Sequence, residues 1–398
     1  MKNVLQKLLI VLVCILLAGN IGLLVCIKAF NFNPFSKTTE KEEVAEVAEE
    51  ETESKGSSSF TFMGVGDNLI HGAIYYWQQQ AGNGYNFDDI YSLTDTYSQS
   101  ADLAYINAET ICAGNIFDLN SYPVFNGPTE ILDAVANAGF DWMSIASNHT
   151  MDMGDTGLMY EMQYLKDHYP NFTYTGSHLT EEDSNTPTVI EINGIKVGLQ
   201  SYTYGLNGFS LPEGEEWMIN LIDKDEIKRD IEALNEVSDV QIVTMHWGTE
   251  YSTDVNDEQK ELANYLNELG VDVIVGGHPH VIETGEIIHG EDQDTLCYYS
   301  LGNFLSAQDE PERMIGGMAS FTLNYDFDTE EVTFSDVKFT PTVTYFDSSF
   351  YTFKTTTIHE YTDDMANSHG VAGTSRAFVQ QYVQEVFGNP EGFEVVLE

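Results

Sequence analysis

The sequence predicts an α/β domain, and three observations carry that prediction. Strand-like and helix-like segments alternate from Phe60 onward, as in a sheet covered by helices. Five apolar runs end directly in residues that carry chemistry. Asn193-Gly194 joins two β-branched runs and is the strongest hairpin signal in the chain. The five runs are Phe60–Gly66 into Asp67, Ala101–Ile106 into Asn107-Ala108-Glu109, Trp142–Ala146 into Ser147-Asn148-His149, Val240–Met245 into His246, and Val271–Val275 through Gly276-Gly277 into His278-Pro279-His280. In open α/β sheets ligands sit outside the carboxyl ends of the strands. Asp67, Asn107, Glu109, Asn148, His149, His246, His278 and His280 are therefore expected at one rim. Carboxylate, amide and imidazole together suit one or two divalent ions of intermediate hardness, among which Mn, Zn, Fe and Mg are not distinguished.

The elements follow in order. Leu8–Ile27 is apolar except for Asn20, long enough to cross a bilayer as a helix, and Lys2 and Lys7 before it place residues 1–7 in the cytoplasm. A cleaved signal is the rival reading, but the run exceeds a typical signal core and lacks an Ala-x-Ala site. Residues 28–59 read as an acidic linker; Lys37–Ser59 has no aromatic residue and cannot bury enough surface to fold alone. Helices are expected over Pro128–Ala138, with Gly139 closing it, and over Leu158–His168, Asp223–Glu236, Glu258–Leu269 and Thr374–Phe387. Thr188–Ile192 and Ile195–Tyr202 form the hairpin, and Gly316–Tyr325 and Glu331–Phe339 alternate like antiparallel strands. The domain is set at 60–346, with 347–398 as an extension.

Composition narrows the function. The chain of 398 residues holds 64 acidic and 16 basic residues, a net charge of -48, so a phosphate-neutralising basic face for nucleic acid is excluded. An anionic ligand would be repelled by this surface and would need local cations. Cys14 and Cys26 lie in the apolar run; Cys112 and Cys297 lack Cys-x-x-Cys spacing, which excludes a zinc ribbon and leaves their pairing open. Arg313, one of three arginines, is a candidate anion binder through its planar fork, while its Glu-Pro-Glu-Arg context also suits a surface ion pair.

Six segments in order, Gly66-Asp67, Asn107-Ala-Glu109, Ser147 to Gly154, His246 to Tyr251, Gly277 to His280 and Ser300 to Phe304, resemble the CapA/PgsA family of capsule-synthesis proteins linked to poly-γ-glutamate. That family is a branch of the calcineurin-like metallophosphoesterases, and the resemblance covers about Phe60 to Phe346. It implies a sandwich of two mixed β-sheets flanked by helices, here preceded by the N-terminal transmembrane helix. It also implies that Asp67 and His280 bind one metal, that Asn148, His246 and His278 bind a second, and that Glu109 bridges them. His149 would be the general acid, oriented by Asp152. Asn107, Glu250, Asn303 and Arg313 would face the substrate. One departure stands out: other metallophosphoesterases begin with Asp-x-His, whereas here Asp67-Asn68-Leu69 offers no second ligand and His71 lies two residues further on.

The expected function is that of a single-pass cell-membrane protein with an extracellular domain. It would take part in synthesis, export or tethering of an anionic polymer such as poly-γ-glutamate or its precursor, beside polyglutamate synthase or export subunits. A metal-dependent phosphoesterase and a non-catalytic polymer-binding subunit are the alternatives.

Overall fold

The structure, a computed structural model, describes residues 55–398. The expected cytoplasmic segment, the membrane anchor and the linker up to residue 54 lie outside the described residues. No helix among the described residues is long and apolar enough to cross a membrane.

The chain runs through β1 (Ser57–Asn68), β2 (Leu103–Ala108), β3 (Trp142–Ser144), β4 (Thr173–Thr175), β5 (Thr188–Ile192), β6 (Ile195–Thr203) and β7 (Val240–His246). It continues through β8 (Val273–Gly277), β9 (Gly285–His289), β10 (Asp294–Tyr298), β11 (Asn303–Leu305), β12 (Ile315–Asp326), β13 (Glu331–Phe346), β14 (Phe353–Thr357) and β15 (Glu394–Val395). One mixed sheet has the order β14-β13-β12-β1-β2-β3-β4, with β11 beside β1 and β15 beside β13; the second has the order β5-β6-β7-β8-β10-β9.

Side-chain alternation along the strands builds the layers. Phe60, Phe62, Leu103, Tyr105 and Trp142 from one sheet meet Val240, Ile242, Val273, Val275 and Tyr298 from the other in a shared core. The alternate residues of the first sheet, Met63, Val65, Ala104, Ile106 and Met143, face outward into helices Glu130–Asn137 and Gly154–His168. Those of the second, Val243, Met245 and Ile274, face helices Lys224–Asn235 and Asp257–Glu268. Strands covered on both faces read as continuous apolar runs, which is why the sequence displayed them so plainly.

Local chemistry agrees with these elements. Asp223 caps its helix by accepting from the backbone N–H groups of Asp225 and Glu226, and Asn256 forms a capping box with Gln259. Asn193 and Gly194 turn the β5–β6 hairpin with φ of 52° and 85°. Several boundaries shift from expectation, and two of the shifts have a strand-pairing cause. The run at Val271 begins its strand only at Val273 and continues through Gly276-Gly277, because these two pair with Met245 and His246 of β7. Ser57–Ser59, expected in the linker, already pair with β12. Beyond residue 346, β14 and β15 both hydrogen-bond to β13, and the C-terminal helix Arg376–Val386 buries Val379 and Val383 in the shared core, with Phe387 stacked 3.9 Å from Phe339. Cys112 and Cys297 are buried free thiols.

Between β10 and β11 the chain crosses from the second sheet to the first, and it touches both on the way. Leu301 N–H donates to Gly276 O, Asp67 N–H to Gly302 O and Gly317 N–H to Leu301 O, at 2.8–3.1 Å. Only glycine fits at the contacts: a Cβ on Gly276 would lie 1.9 Å from Tyr299 O, and one on Gly66 1.9 Å from Gly302 O. Gly276→Ala is therefore expected to destabilise the chain by about 3 kcal/mol or more. Gly205→Ala, whose new Cβ meets nothing, should stay within about 1 kcal/mol of the parent. Urea-unfolding midpoints compare the two, and equal midpoints would refute the crossing as a tight constraint.

Candidate metal centre

The crossing brings the carboxyl ends of both sheets to one buried cluster. Asp67, at a register shift near the end of β1, accepts from Asn107 Nδ2 at 2.8 Å and from the His278 backbone N–H at 3.2 Å, and lies 3.1 Å from His280 Nδ1. A Cβ on Gly277 would strike Asp67 Oδ1 at 2.6 Å and Asn107 Nδ2 at 2.8 Å, so the second glycine of the pair makes room for the carboxylate.

Glu109 follows β2 and is fully buried. Neither of its carboxylate oxygens has a hydrogen-bond partner. Oε1 instead faces His246 Nε2 at 3.6 Å and His280 Nε2 at 3.5 Å. Burial pushes its pKa well above the ordinary carboxylate value, against the pull of His280 and with repulsion from Asp67 added.

The three imidazoles converge from β7 and the loop after β8. The rings of His246 and His278 are 4.8 Å apart and those of His278 and His280 6.0 Å. His278 and His280 both have left-handed backbone, φ 98° and 61°, a strain of about 1–3 kcal/mol each that fixed surroundings must hold. Burial, then charge on His280, lowers His278 to about 3. Burial and the neighbouring imidazoles also hold His246 well below its usual range. For His280 burial acts downward too, but Glu109 and Asp67 outweigh it and raise the imidazole to about 9.

Ser147 shapes the turn after β3. Its hydroxyl donates to Glu109 O at 3.1 Å and accepts from the His149 N–H at 3.2 Å. Asn148 Oδ1 then meets His246 Nε2 at 2.9 Å, and His149 Nδ1 meets Asp152 Oδ2 at 2.7 Å. Asp152 Oδ2 also accepts from the Phe125 N–H at 2.6 Å, and the Phe125 ring stands perpendicular to His149 at 4.7 Å. Asn303 Oδ1 lies 3.1 Å from His280 Nδ1 while its Nδ2 donates to Arg313 O at 2.9 Å. Arg313 stands over the Tyr251 ring at 3.9 Å and pairs with Asp309 at 3.4 Å, an ion pair of the kind its second sequence reading expected.

Of the candidate residues, Asp67, Asn107, Glu109, Asn148, His246, His278 and His280 thus meet directly, with the His149–Asp152 pair and Asn303 beside them. Glu250 is exposed and outside the cluster, and its charge is among the causes that raise Glu109 and His280. His71 caps helix Gly72–Ala81 and accepts from the Ala307 N–H at 3.2 Å; it belongs to neither ligand cluster, and burial lowers it to about 4. Sequence reasoning missed Phe125, Asn207 and the aromatic walls. Tyr204 packs 4.5 Å from His278 and Tyr251 5.8 Å from His280, yet both remain nearly half exposed, at 47% and 44%. Tyr251 lay within a recognised segment; the turn dipeptide Asn207-Gly208 is a signal for a loop but not for its contact.

Two groups have ligand atoms within 4.8 Å of one another, Asp67-Glu109-His280 and Glu109-His246-His278, with Glu109 common to both. Divalent cations fit this donor set: they would satisfy the two orphaned Glu109 oxygens between His246 and His280, where no protein donor does. Such ions would supply positive charge and Lewis acidity at the rim. Because His280 is held protonated at neutral pH, a cation using it must displace that proton. Manganese affinity should therefore rise with pH by up to about tenfold per unit, levelling above about pH 9. Calorimetry in buffers of differing ionisation enthalpy reads the proton released; a pH-independent affinity would contradict the assignment.

The family described as "Bacterial capsule synthesis protein PGA_cap" matches residues 61–308. The PGA biosynthesis protein CapA of Bacillus subtilis (strain 168) is 30% identical over 190 residues, 45% of this chain and 46% of that protein. The capsule biosynthesis protein CapA of Bacillus anthracis is 27% identical over 183 residues, 45% of this chain and 43% of that protein. The chain thus spans under half the length of these curated relatives. Among solved structures, a phosphatase from Mycoplasma pneumoniae aligns with a TM-score of 0.43 at 14% identity, over 72% of this chain and 94% of that one. A 5'-nucleotidase precursor from Thermus thermophilus aligns with a TM-score of 0.41 at 13% identity, over 82% of this chain and 59% of that one. The matched segment takes in most of β1, all of β2 to β11 and every candidate ligand from Asp67 to His280, and on that match the chain belongs to the bacterial capsule synthesis protein family.

Proposed function

We propose that this chain works at the outer face of the cell membrane, where a divalent-metal centre engages an anionic capsular polymer such as poly-γ-glutamate, or its precursor. The observation that carries the reading is Glu109, a buried carboxylate without a hydrogen bond, set between three imidazoles and Asp67. A protein with this surface charge would repel a polyanion unless cations were concentrated locally. Metal at the cluster and Arg313 over Tyr251 meet that need on one wall. The name of the Bacillus subtilis relative, a PGA biosynthesis protein, supports poly-γ-glutamate as the polymer. Leu8–Ile27 would anchor the chain, and polyglutamate synthase or export subunits would be its partners.

A specific observation favours a second reading, phosphoester hydrolysis. The His149 Nδ1 contact to Asp152 leaves Nε2 free of that carboxylate, the arrangement of an imidazole oriented to pass a proton.

The full-length chain should bind about two equivalents of manganese or zinc and be retained by immobilised poly-γ-glutamate only when loaded. His278→Ala/His280→Ala should lose both properties. Arg313→Ala should keep its metal and weaken retention severalfold. No metal in the parent chain after incubation with excess manganese or zinc would sink the reading. His149→Ala separates the alternatives: a phosphoesterase should lose about 100-fold or more in turnover while retaining metal, whereas polymer retention should not change.

A further inference from the structure

Asn207 lies in the loop after β6, at the first corner of a tight turn. Asn207 and Gly208 have φ of 50° and 85°, and Phe209 N–H donates to Leu206 O at 2.8 Å. Successive positive φ values at Asn-Gly are those of a type I′ turn. The loop is held on both sides of that turn. Leu206 is buried among the residues under the helices of the first sheet, and Tyr204 N–H donates to His246 O at 3.0 Å.

The side chain reaches two residues of the centre. Oδ1 accepts from Asn148 Nδ2 at 3.2 Å. Nδ2 lies 3.4 and 3.5 Å from the two ring nitrogens of His149, so it favours neither and leaves Nδ1 to Asp152. An amide has one acceptor end and one donor end. With its donor end committed to Asn207, Asn148 turns its oxygen to His246 and the cluster. The reversed amide would set two oxygens against each other at Asn207 and present an NH₂, which cannot hold a cation, to the imidazoles.

We propose that Asn207 is a positioning residue: it holds the Asn148 carbonyl oxygen toward the Glu109–His246–His278 side of the centre, so that metal affinity on that side depends on it. Asp67 and His280, on the other side, make no contact with Asn207 and would not share the dependence. The inference rests on the reading of this cluster as a metal centre. It follows the general behaviour of residues that orient ligands, whose loss costs about 10–100-fold in affinity.

The test is a manganese titration of the metal-stripped full-length chain, with Asn148→Ala identifying which equivalent belongs to that side. Asn207→Ala should lower the affinity of that same equivalent by about 10-fold or more, leave the other unchanged, and, when metal-free, melt no more than a few degrees below the parent, the cost of alanine at a positive φ. Asn207→Asp, which returns an acceptor oxygen to the same place, should recover most of the loss. Parent affinity for both equivalents in Asn207→Ala would overturn the proposal. Equal impairment of the Ala and Asp variants, with lowered melting of both, would assign Asn207 to the turn alone and overturn it too. A single equivalent in the parent, insensitive to Asn148→Ala, has the same consequence. A parent chain that binds no manganese fails at the earlier step, the metal reading itself, and takes this inference with it.

Discussion

The two sheets are drawn together at their carboxyl ends by the passage of Tyr299–Asn303 from β10 to β11, and the rim exists because of that passage. Gly276 and Gly66 receive its carbonyls at distances no side chain would allow. Sheets packed only through Phe, Val and Ile side chains stand about 10 Å apart. Here the backbone itself spans the gap, which sets β1, β2, β7 and β8 close enough for Asp67, Glu109, His246 and His280 to face one another. Gly277 then admits the Asp67 carboxylate, and Asp67 holds the His278 N–H in turn.

What collects at that rim is unfavourable for the protein alone. A buried polar group without a partner costs about 1–3 kcal/mol, and two left-handed histidines add a similar sum. Against a total stability of about 5–15 kcal/mol, the rest of the fold must be over-determined to keep such a cluster in place. Three buried layers and strands covered on both faces provide that. The electrostatics divide the cluster: burial lowers His246 and His278, which keeps those imidazoles neutral for ligation, whereas raised Glu109 and His280 must give up a proton to a cation.

Much of this was legible in the sequence because chemistry and strand ends coincide. Apolar runs covered on both faces are conspicuous, and each of the five stops where a candidate site residue begins. The Asn193-Gly194 hairpin and the capped helices follow from local rules. Residues whose roles depend on approach from elsewhere were not legible. Tyr204 and Asn207 lie in a loop with no periodicity, and Arg313 finds Tyr251 from 62 positions away in the numbering. The place of helix Arg376–Val386 was likewise unreadable, because its apolar stripe says that it packs and not against what. The strand starting at Val273 runs through its two glycines for a related reason: pairing with β7 overrides the breaking tendency of Gly276-Gly277.

The family match stops at residue 308, short of Ile315, where β12 begins. Along Ser57–Val65, nine residues, β1 takes β12 as its antiparallel neighbour. A polypeptide ending with the matched segment would therefore carry an open edge through the middle of its first sheet, a row of unpaired N–H and C=O groups ready to template another chain. The half of the sheet that carries Asp67 and Glu109 lies within the family match. The other half, β12 to β15, is what makes that sheet a private structure instead of an adhesive one.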